Sequence, residues 1–399
     1  MNLLFLTLAN MDNVFERGIY TDLVRELARR GVNVYIVYPG ERRSSVRTKF
    51  TKIDNIHLLK VRTGNITKTN IIEKGISTLT IEGQYLRAIK KYLRDIQFNL
   101  VLYSTPPITF ASVVKYLKKQ GSKTYLMLKD IFPQNAVDIN MIKEKGIIWR
   151  YFRRKEKSLY EVSDTIGCMS KGNVEYLLQH NSFINHSKVE IFPNAIEPVV
   201  QKELYKSDAR FLEKYHISKE STLFVYGGNL GKPQGIDFLL QVVDHFHKIE
   251  NGFLMIVGSG TEYERIENHI KTFQPKNVCL INSLPKNEYD LLLERAEVGL
   301  IFLDKRFTIP NIPSRLTAYM EYSLPILAAT DKNTDLKEIL LESNSGLWLE
   351  SGDIELFIEH ARTLVNDVDL RKQMGSNGRR YLEYHFDIKD TVQILLNHC

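Results

Sequence analysis

Thr222-Leu-Phe-Val-Tyr-Gly-Gly-Asn-Leu-Gly-Lys-Pro-Gln-Gly235 carries five strand-forming residues straight into a glycine-rich loop, and an amphipathic run over 236–246 follows. A buried strand, then glycines, then a helix start is how α/β folds hold a phosphorylated ligand. Glycines let the backbone approach the anion, and a helix N-terminus offers unpaired N–H groups and the positive end of its dipole. The pattern lies past the middle of a 399-residue chain. That placement suggests a second nucleotide-type domain, and so a two-domain chain.

Working outward, strand and helix patterns alternate on both sides of this loop. Before it, strands are expected at 2–8, 32–38, 100–103, 123–128, 165–168 and 189–192, with helices at 18–30, 85–94, 109–120 and 147–161. After it, strands are expected at 223–226, 254–257, 278–281, 298–302 and 325–329, each followed by a helix-length segment. Such alternation with short connections argues for α/β architecture with parallel sheets covered on both faces. The irregular stretch from Asn194 ends the first series, so a hinge is expected near 195–210. Two Rossmann-like domains in tandem follow, over 1–200 and 201–379. A helical segment over about 380–399 is positioned to cross back onto the first. Chain length agrees, since about 200 residues per domain is an ordinary size.

Composition narrows the function classes. Hydrophobic residues at 43% and charged residues at 25% are those of a soluble globular protein. Cys168, Cys279 and Cys399 are far apart and odd in number, which argues against a disulfide framework or a zinc site and for a reducing cytoplasm. Met1 to Asn10 lacks a basic leader and reads as a first strand rather than a signal peptide, and no window is apolar enough to cross a membrane. His245 and His247 point apart on a helix, so no metal site is expected. Neither glycine loop fits G-x-G-x-x-G with an acidic residue about twenty positions on, which disfavours a dehydrogenase.

Charge is uneven. Residues 1–200 hold 31 Lys and Arg against 18 Asp and Glu, whereas residues 201–399 hold 23 against 29. The basic half either meets something anionic (a membrane surface, a phosphate-bearing acceptor, nucleic acid) or is simply well solvated. Residues 143–157 concentrate the effect: seven cations interleave with Trp149, Tyr151 and Phe152. A basic helix carrying aromatics suits an anionic membrane or a lipid-pyrophosphate acceptor; a packed helix with a solvated basic face is the alternative. No helix-turn-helix, zinc-finger or RNA-binding signature accompanies it.

Candidate ligand residues gather at strand ends. Gly258-Ser259-Gly260 repeats, after the strand at 254–257, the junction made by Gly227-Gly228. Further on, Ile309-Pro-Asn-Ile-Pro-Ser-Arg-Leu-Thr-Ala-Tyr-Met-Glu-Tyr-Ser-Leu-Pro-Ile-Leu-Ala328 holds a helix start at Pro313-Ser314, with Ser314 suited to cap it. Leu316, Tyr319 and Met320 face the core. Arg315 in the first turn opposes the helix dipole, which a bound phosphate would reverse; a surface ion pair is the alternative. In the first half, Glu16, Arg17 and Gly18 either face a ligand or form a plain loop. Asp130, after the strand at 123–128, either orients and deprotonates an acceptor hydroxyl or caps a helix beginning near Phe132.

Together Gly228-Asn-Leu-Gly-Lys-Pro-Gln-Gly235, Ile256-Val-Gly-Ser-Gly260 and Pro313-Ser-Arg-Leu316 resemble glycosyltransferase family 4, in its bacterial O-antigen and capsular polysaccharide branch, which includes N-acetylfucosaminyl transferases. Gly31-Val-Asn-Val-Tyr-Ile-Val37, Tyr103-Ser-Thr-Pro-Pro107 and Asp130-Ile-Phe-Pro133 agree in the first half. The resemblance implies a GT-B fold, two Rossmann-like domains facing across a cleft, and a retaining, metal-independent transfer without a cofactor. The donor is a nucleotide-sugar, UDP-linked by preference, and the acceptor a lipid-linked or oligosaccharide one presented by a peripheral membrane enzyme on the inner, cytoplasmic face; nucleic acid is not implied. Carried over, the donor residues are Gly18, Gly228, Asn229, Lys232, Gly258, Gly260, Pro313, Ser314, Arg315 and Leu316, with Asp130 and Glu16 as catalytic candidates. Two departures stand out. Asn229 and Gln234 occupy positions where the family usually has cations, and Pro310 and Ala318 those of two glutamates eight apart, with Glu321 one turn beyond Ala318. The missing glutamates leave a non-catalytic sugar-nucleotide-binding scaffold as an alternative; a GT-B nucleotide-sugar 2-epimerase shares the architecture, but the several acid/base carboxylates and histidines it needs are not assembled here.

Overall fold

A computed structural model describes residues 1–44, 47–66, 71–199, 214–215 and 217–399, with side chains at 71, 72 and 74 left aside. The chain divides into two compact units, Met1–Glu197 with Asp387–Cys399, and Pro198–Phe386. Most of the span in which a hinge was expected, 200–210, lies outside the described residues.

The first unit is built on an eight-stranded sheet. Its strands are β1 (Asn2–Leu6), β2 (Asn33–Glu41), β3 (Lys49–Ile53), β4 (Ile56–Thr63), β5 (Leu100–Ser104), β6 (Lys123–Leu128), β7 (Thr165–Cys168) and β8 (Val189–Ile191), in the order β3-β4-β2-β1-β5-β6-β7-β8. All neighbours are parallel except the hairpin β3–β4, whose turn holds Asp54 at φ 50°. The sequence reading lacks this hairpin, since β3 is a half-exposed edge strand and the buried residues of β4 are interrupted by His57, Lys60 and Arg62. Helices α1 (Ile19–Arg29), α2 (Ile71–Tyr92), α3 (Ala111–Lys118), α4 (Gln134–Asp138), α5 (Ile147–Val162) and α6 (Lys171–His180) complete the layers. The expected helix at 85–94 is thus only the end of α2. Gly75, Gly83 and the β-branched residues between them depress local helix propensity, and packing on β4 overrides it.

The second unit has six parallel strands: β9 (Thr222–Asn229), β10 (Gly252–Ser259), β11 (Val278–Ile281), β12 (Val298–Phe302), β13 (Ile326–Thr330) and β14 (Gly346–Glu350). Their order, β11-β10-β9-β12-β13-β14, is the Rossmann order 3-2-1-4-5-6. β12 and β13 are buried throughout, as strands covered on both faces must be. The covering helices are α7 (Ile236–His245), α8 (Tyr263–Phe273), α9 (Lys286–Arg295), α10 (Arg315–Glu321), α11 (Leu336–Ser343), α12 (Ile354–Asn366) and α13 (Val368–His385). In each sheet the chain reverses its direction of travel beside the first strand, between β1 and β5 and between β9 and β12. Open α/β sheets bind ligands beyond the carboxyl ends of strands at that point.

The C-terminal segment is two helices rather than one. α13 stays in the second unit, where Gly375 lets its backbone approach Ser323. Phe386 then leaves helical geometry, and Asp387 caps α14 (Ile388–Leu396) by accepting from Lys389 N. α14 belongs to the first unit. Its Ile388, Val392 and Leu395, one stripe at helical spacing, join Leu3, Val24 and Leu27 in that unit's core. Arg30 fastens it by donating to Gln393 Oε1 at 2.8 Å and to the Lys389 carbonyl at 2.9 Å.

Candidate functional site

The carboxyl edge of the second sheet opens into a pocket of about 650 Å³. β9 and β10 run paired to its rim, Gly228 opposite Gly258 and Asn229 opposite Ser259. A Cβ on Gly258 would stand 1.9 Å from the Gly228 carbonyl oxygen, and one on Gly260 2.2 Å from that of Leu230. These glycines are required for backbone to approach backbone, before any ligand is considered. A Cβ on Gly227 would meet the Tyr289 hydroxyl at 1.8 Å. Gly228 itself has φ 131°, a conformation other residues rarely adopt. Tyr319, at the core side of α10, ties the strand end down: its hydroxyl accepts from Gly227 N and donates to the Val225 carbonyl, both at 3.1 Å.

Arg315 is the charge of this pocket. Its guanidinium lies 4.4 Å from the centre of the Tyr226 ring, a cation–π contact, and Nη2 donates to Gln234 Oε1 at 2.5 Å. Nη1 is buried with no partner among the described residues. An unsatisfied buried guanidinium donor is unfavourable until something accepts from it. Among the described residues lining the pocket there is no aspartate, glutamate, lysine or histidine; the remaining polar groups are hydroxyls and amides such as Ser259, Ser283, Asn311 and Ser314. A cavity with one buried cation and no carboxylate favours an anion. Burial pushes the Tyr289 hydroxyl far above its ordinary range, so it stays a neutral donor here.

Of the donor residues carried over by resemblance, Gly228, Asn229, Gly258, Pro313, Ser314 and Arg315 line this pocket. Three others do not. Lys232 is exposed at the start of a short 3₁₀ turn, Gly260 is exposed beyond the rim, and Leu316 is wholly buried in the core, where the inward face of α10 must put it. Ser314 makes no capping hydrogen bond, its backbone already being helical. Glu321 is neither an exposed carboxylate nor part of the pocket. It is buried and accepts from Val199 N at 2.9 Å, while Arg379 donates to the carbonyls of both residues. Ala318 lines the wall and Pro310 is buried. Sequence reasoning missed Tyr289, Ser283 and Asn311. Ser283 follows a strand end, where the strand-edge rule would have found it.

In the first unit the candidates lie along the carboxyl edge of the sheet. Gly18 precedes α1, but its N–H donates to Asp22 Oδ1 at 3.0 Å, so it is already paired. Glu16 is exposed, with its carbonyl held by Arg25. Asp130 does not cap α4, whose N-cap position is Pro133. Its Oδ1 accepts from Asn135 Nδ2 at 2.6 Å, and Thr105 Oγ1 binds its backbone N–H. Burial raises the carboxyl to about 6, against the opposing hydrogen bonds from Asn135 and Ile131. Lys129 beside it is driven down to about 7 by burial and donates to the Phe192 and Pro193 carbonyls. Asp130 is thus a carboxylate tuned towards neutrality at a sheet edge. His245 and His247 each bond a local backbone carbonyl. Among the described residues no cluster of three or more His, Cys, Asp or Glu could hold a metal, and no helix is long and apolar enough to cross a membrane.

Fold and pocket together define an α/β protein of two parallel-sheet Rossmann-like domains, with a carboxylate-free pocket around Arg315 at the sheet edge of the second. The GT-B architecture extends over the full chain. Sucrose-phosphate synthase from Thermosynechococcus elongatus superposes with a TM-score of 0.78 at 15% identity, covering 100% of this chain and 98% of that one. The Anabaena protein HepE in complex with UDP-glucose does so at 0.69 and 12% identity over 100% of both. Such identities speak for fold alone. In sequence, the family described as "Glycosyltransferase Family 4" matches residues 19–199 and that described as "Glycosyl transferases group 1" matches residues 207–381. The chain belongs to these glycosyltransferases. It is 25% identical over 283 residues to the probable glycosyltransferase WbjE of Pseudomonas aeruginosa, covering 70% of this chain and 68% of that one. It is 26% identical over 197 residues to the capsular polysaccharide biosynthesis glycosyltransferase CapM of Staphylococcus aureus, spanning 47% of this chain and about half, 48%, of that relative.

Proposed function

We infer that this glycosyltransferase moves a sugar from a nucleoside diphosphate, UDP by preference, onto a lipid-linked or oligosaccharide acceptor during assembly of a bacterial surface polysaccharide. The observation carrying this reading is Arg315: a buried, half-paired guanidinium in a carboxylate-free pocket at the Rossmann switch point. A diphosphate oxygen satisfies Nη1 and offsets the cost of the buried charge. The same contact strengthens as charge gathers on the departing diphosphate, which is the condition for accelerating the reaction rather than only binding substrate. UDP-glucose in the HepE complex and the capsular role in the name of CapM support the donor and acceptor classes.

In the transfer the bond between the anomeric carbon and the diphosphate oxygen breaks, and a bond to the acceptor oxygen forms. Retention requires the acceptor to attack on the side from which the diphosphate leaves. The acceptor proton passes to Asp130 or to the departing phosphate; a carboxylate near 6 is a serviceable base at neutral pH. Arg315 offsets part of the charge that develops on the departing diphosphate, and the proposed transfer invokes no metal. The basic first unit suits a peripheral position on the cytoplasmic face of the membrane, next to a lipid-linked acceptor.

Incubation with a panel of UDP-sugars and a lipid-linked acceptor, read by mass spectrometry of the product, tests the reading. One UDP-sugar should be consumed with a matching mass gain on the acceptor. Failure of UDP to bind, or full turnover by Arg315→Ala, would sink it.

A further inference from the structure

The start of α5 exposes apolar side chains where a soluble helix would present polar ones. Ile147 is 87% exposed and Ile148 60%, and Met141 in the preceding loop 62%. The helix buries Glu156, Leu159 and Tyr160. Its opposite stripe, at spacings of three, four and seven, is Ile147, Arg150, Tyr151 and Arg154, all four exposed. Lys143 and Lys145 are exposed in the loop that leads into it. Surface isoleucines scattered singly need no explanation; two adjacent ones at a helix tip, ringed by cations, do.

Cations further along α5 behave differently. Arg153 is spent on the buried Glu156, and Lys157 pairs with Glu161 at 3.8 Å. Glu144 is the acidic residue of the rim, 4.0 Å from Lys145. Arg150 and Arg154 face outward beside the apolar tip with no acidic partner among the described residues. The patch therefore combines a wedge of aliphatic side chains with outward-facing positive charge, which matches a bilayer surface carrying anionic headgroups.

Its position adds a second argument. α5 returns from the carboxyl edge of the sheet towards β7, so its first turn lies at the edge where β6 delivers Asp130. Phe152 on α5 packs on Phe132, two residues from Asp130, at 4.9 Å between ring centres. A membrane touching this tip brings a lipid-linked acceptor to the carboxylate.

We propose that Met141, Ile147, Ile148 and Tyr151, flanked by Lys143, Arg150 and Arg154, form the surface by which the first unit docks on an anionic bilayer, at the edge that carries Asp130. The acceptor consequence rests on the glycosyltransfer reading above; the docking does not.

Flotation of the full chain with vesicles separates the possibilities. The protein should float with phosphatidylcholine vesicles containing about one-third phosphatidylglycerol, stay behind with pure phosphatidylcholine, and be released as salt is raised towards 1 M. Ile147→Glu with Ile148→Glu should lower partitioning at least tenfold, and Arg150→Glu with Arg154→Glu by a similar factor. UDP binding and transfer to a water-soluble acceptor should stay unchanged in both variants, while transfer to acceptor embedded in vesicles falls. Undiminished flotation of both variants, or equal flotation on neutral vesicles, overturns the proposal. So does a wild-type dimer that the isoleucine variant dissociates without any vesicle binding, which would make the tip a contact between two copies. Vesicle binding without sugar transfer would leave the docking surface standing and remove the glycosyltransfer reading instead.

Discussion

Arg315 and Gln234, 81 positions apart, meet through a 2.5 Å hydrogen bond from Nη2 to Oε1 at the rim of the second-unit pocket. The glycine loop supplies the acceptor, and α10 the charge. Family resemblance puts a cation on the loop itself, where this chain has an amide. The division of labour leaves Nη1 unpaired and Nη2 anchored, so one edge of a planar fork is positioned by protein and the other left for ligand.

Arg315→Ala should weaken UDP binding by ten- to a hundredfold in calorimetric titration, from loss of a charge-assisted hydrogen bond of about 1.5–3 kcal/mol. Arg315→Lys should recover only part of this, because a lysine cannot serve Gln234 and the ligand with one rigid fork. Gln234→Ala should cost less, about threefold, since it frees the guanidinium without removing it. Equal affinity in all three would detach the pocket from the donor.

Gly258→Ala is expected to act through the fold. Its new methyl would sit against the Gly228 carbonyl, a backbone atom that can move only if β9 and β10 part. Overpacking of this kind costs about 1–3 kcal/mol, so Tm should fall by several degrees, together with UDP affinity. Loss of affinity at unchanged Tm would show that the glycine serves the ligand alone.

Much of the architecture is legible in the chain because buried parallel strands are written as continuous apolar runs: Val298 to Phe302, and Tyr125 to Leu128 within the strand at 123–128, are found where expected. What fails does so where one face is wet or tertiary contacts decide. Lys49 to Thr63 hides a hairpin in mixed residues, and Gly75 and Gly83 mask the first half of α2. In the pocket, Arg315 announces itself by opposing a helix dipole. Tyr289 does not, because its role depends on the Gly227 backbone 62 positions away, which no local spacing encodes. Leu316 and Lys232 show the converse: proximity in sequence to a pocket residue says nothing of which way a side chain faces.

Asp130 makes the pH dependence specific. Its folded carboxyl lies near 6 against an ordinary 3.8, so between about pH 4 and 6 the folded state binds more protons than the unfolded one. Stability from this group is therefore present at low pH and lost as pH rises through 6. Asp130→Asn should raise stability at pH 7 by about 1–2 kcal/mol, the carboxylate being only half-buried, and leave it unchanged near pH 4. The transfer rate should climb through pH 6 in the native enzyme and lose that limb in the variant. A variant with the native rate profile would remove Asp130 from the chemistry.

Leu395→Ala tests the return of α14 to the first unit. Leu395 is fully buried in that core, and its truncation should destabilise by about 3 kcal/mol. The thermal transition of the first unit should fall while UDP titration, which reads the second, keeps its midpoint. A matched drop in UDP affinity would mean that α14 supports the donor pocket as well.

Glu321 separates a structural carboxylate from a substrate contact. It lies one turn beyond Ala318, within reach of a role towards the donor sugar on sequence grounds, yet its Oε1 is engaged by Val199 N where the second unit begins. Glu321→Ala removes the carboxylate that holds the Val199 N–H, at a cost of about 1 kcal/mol for a hydrogen bond at a half-exposed donor. Chemical denaturation should register the loss, and the affinity for UDP-sugars should not change. A tenfold fall in UDP-sugar affinity at native stability would instead make this carboxylate a ligand of the sugar, and the pocket would then extend past Ala318 along α10.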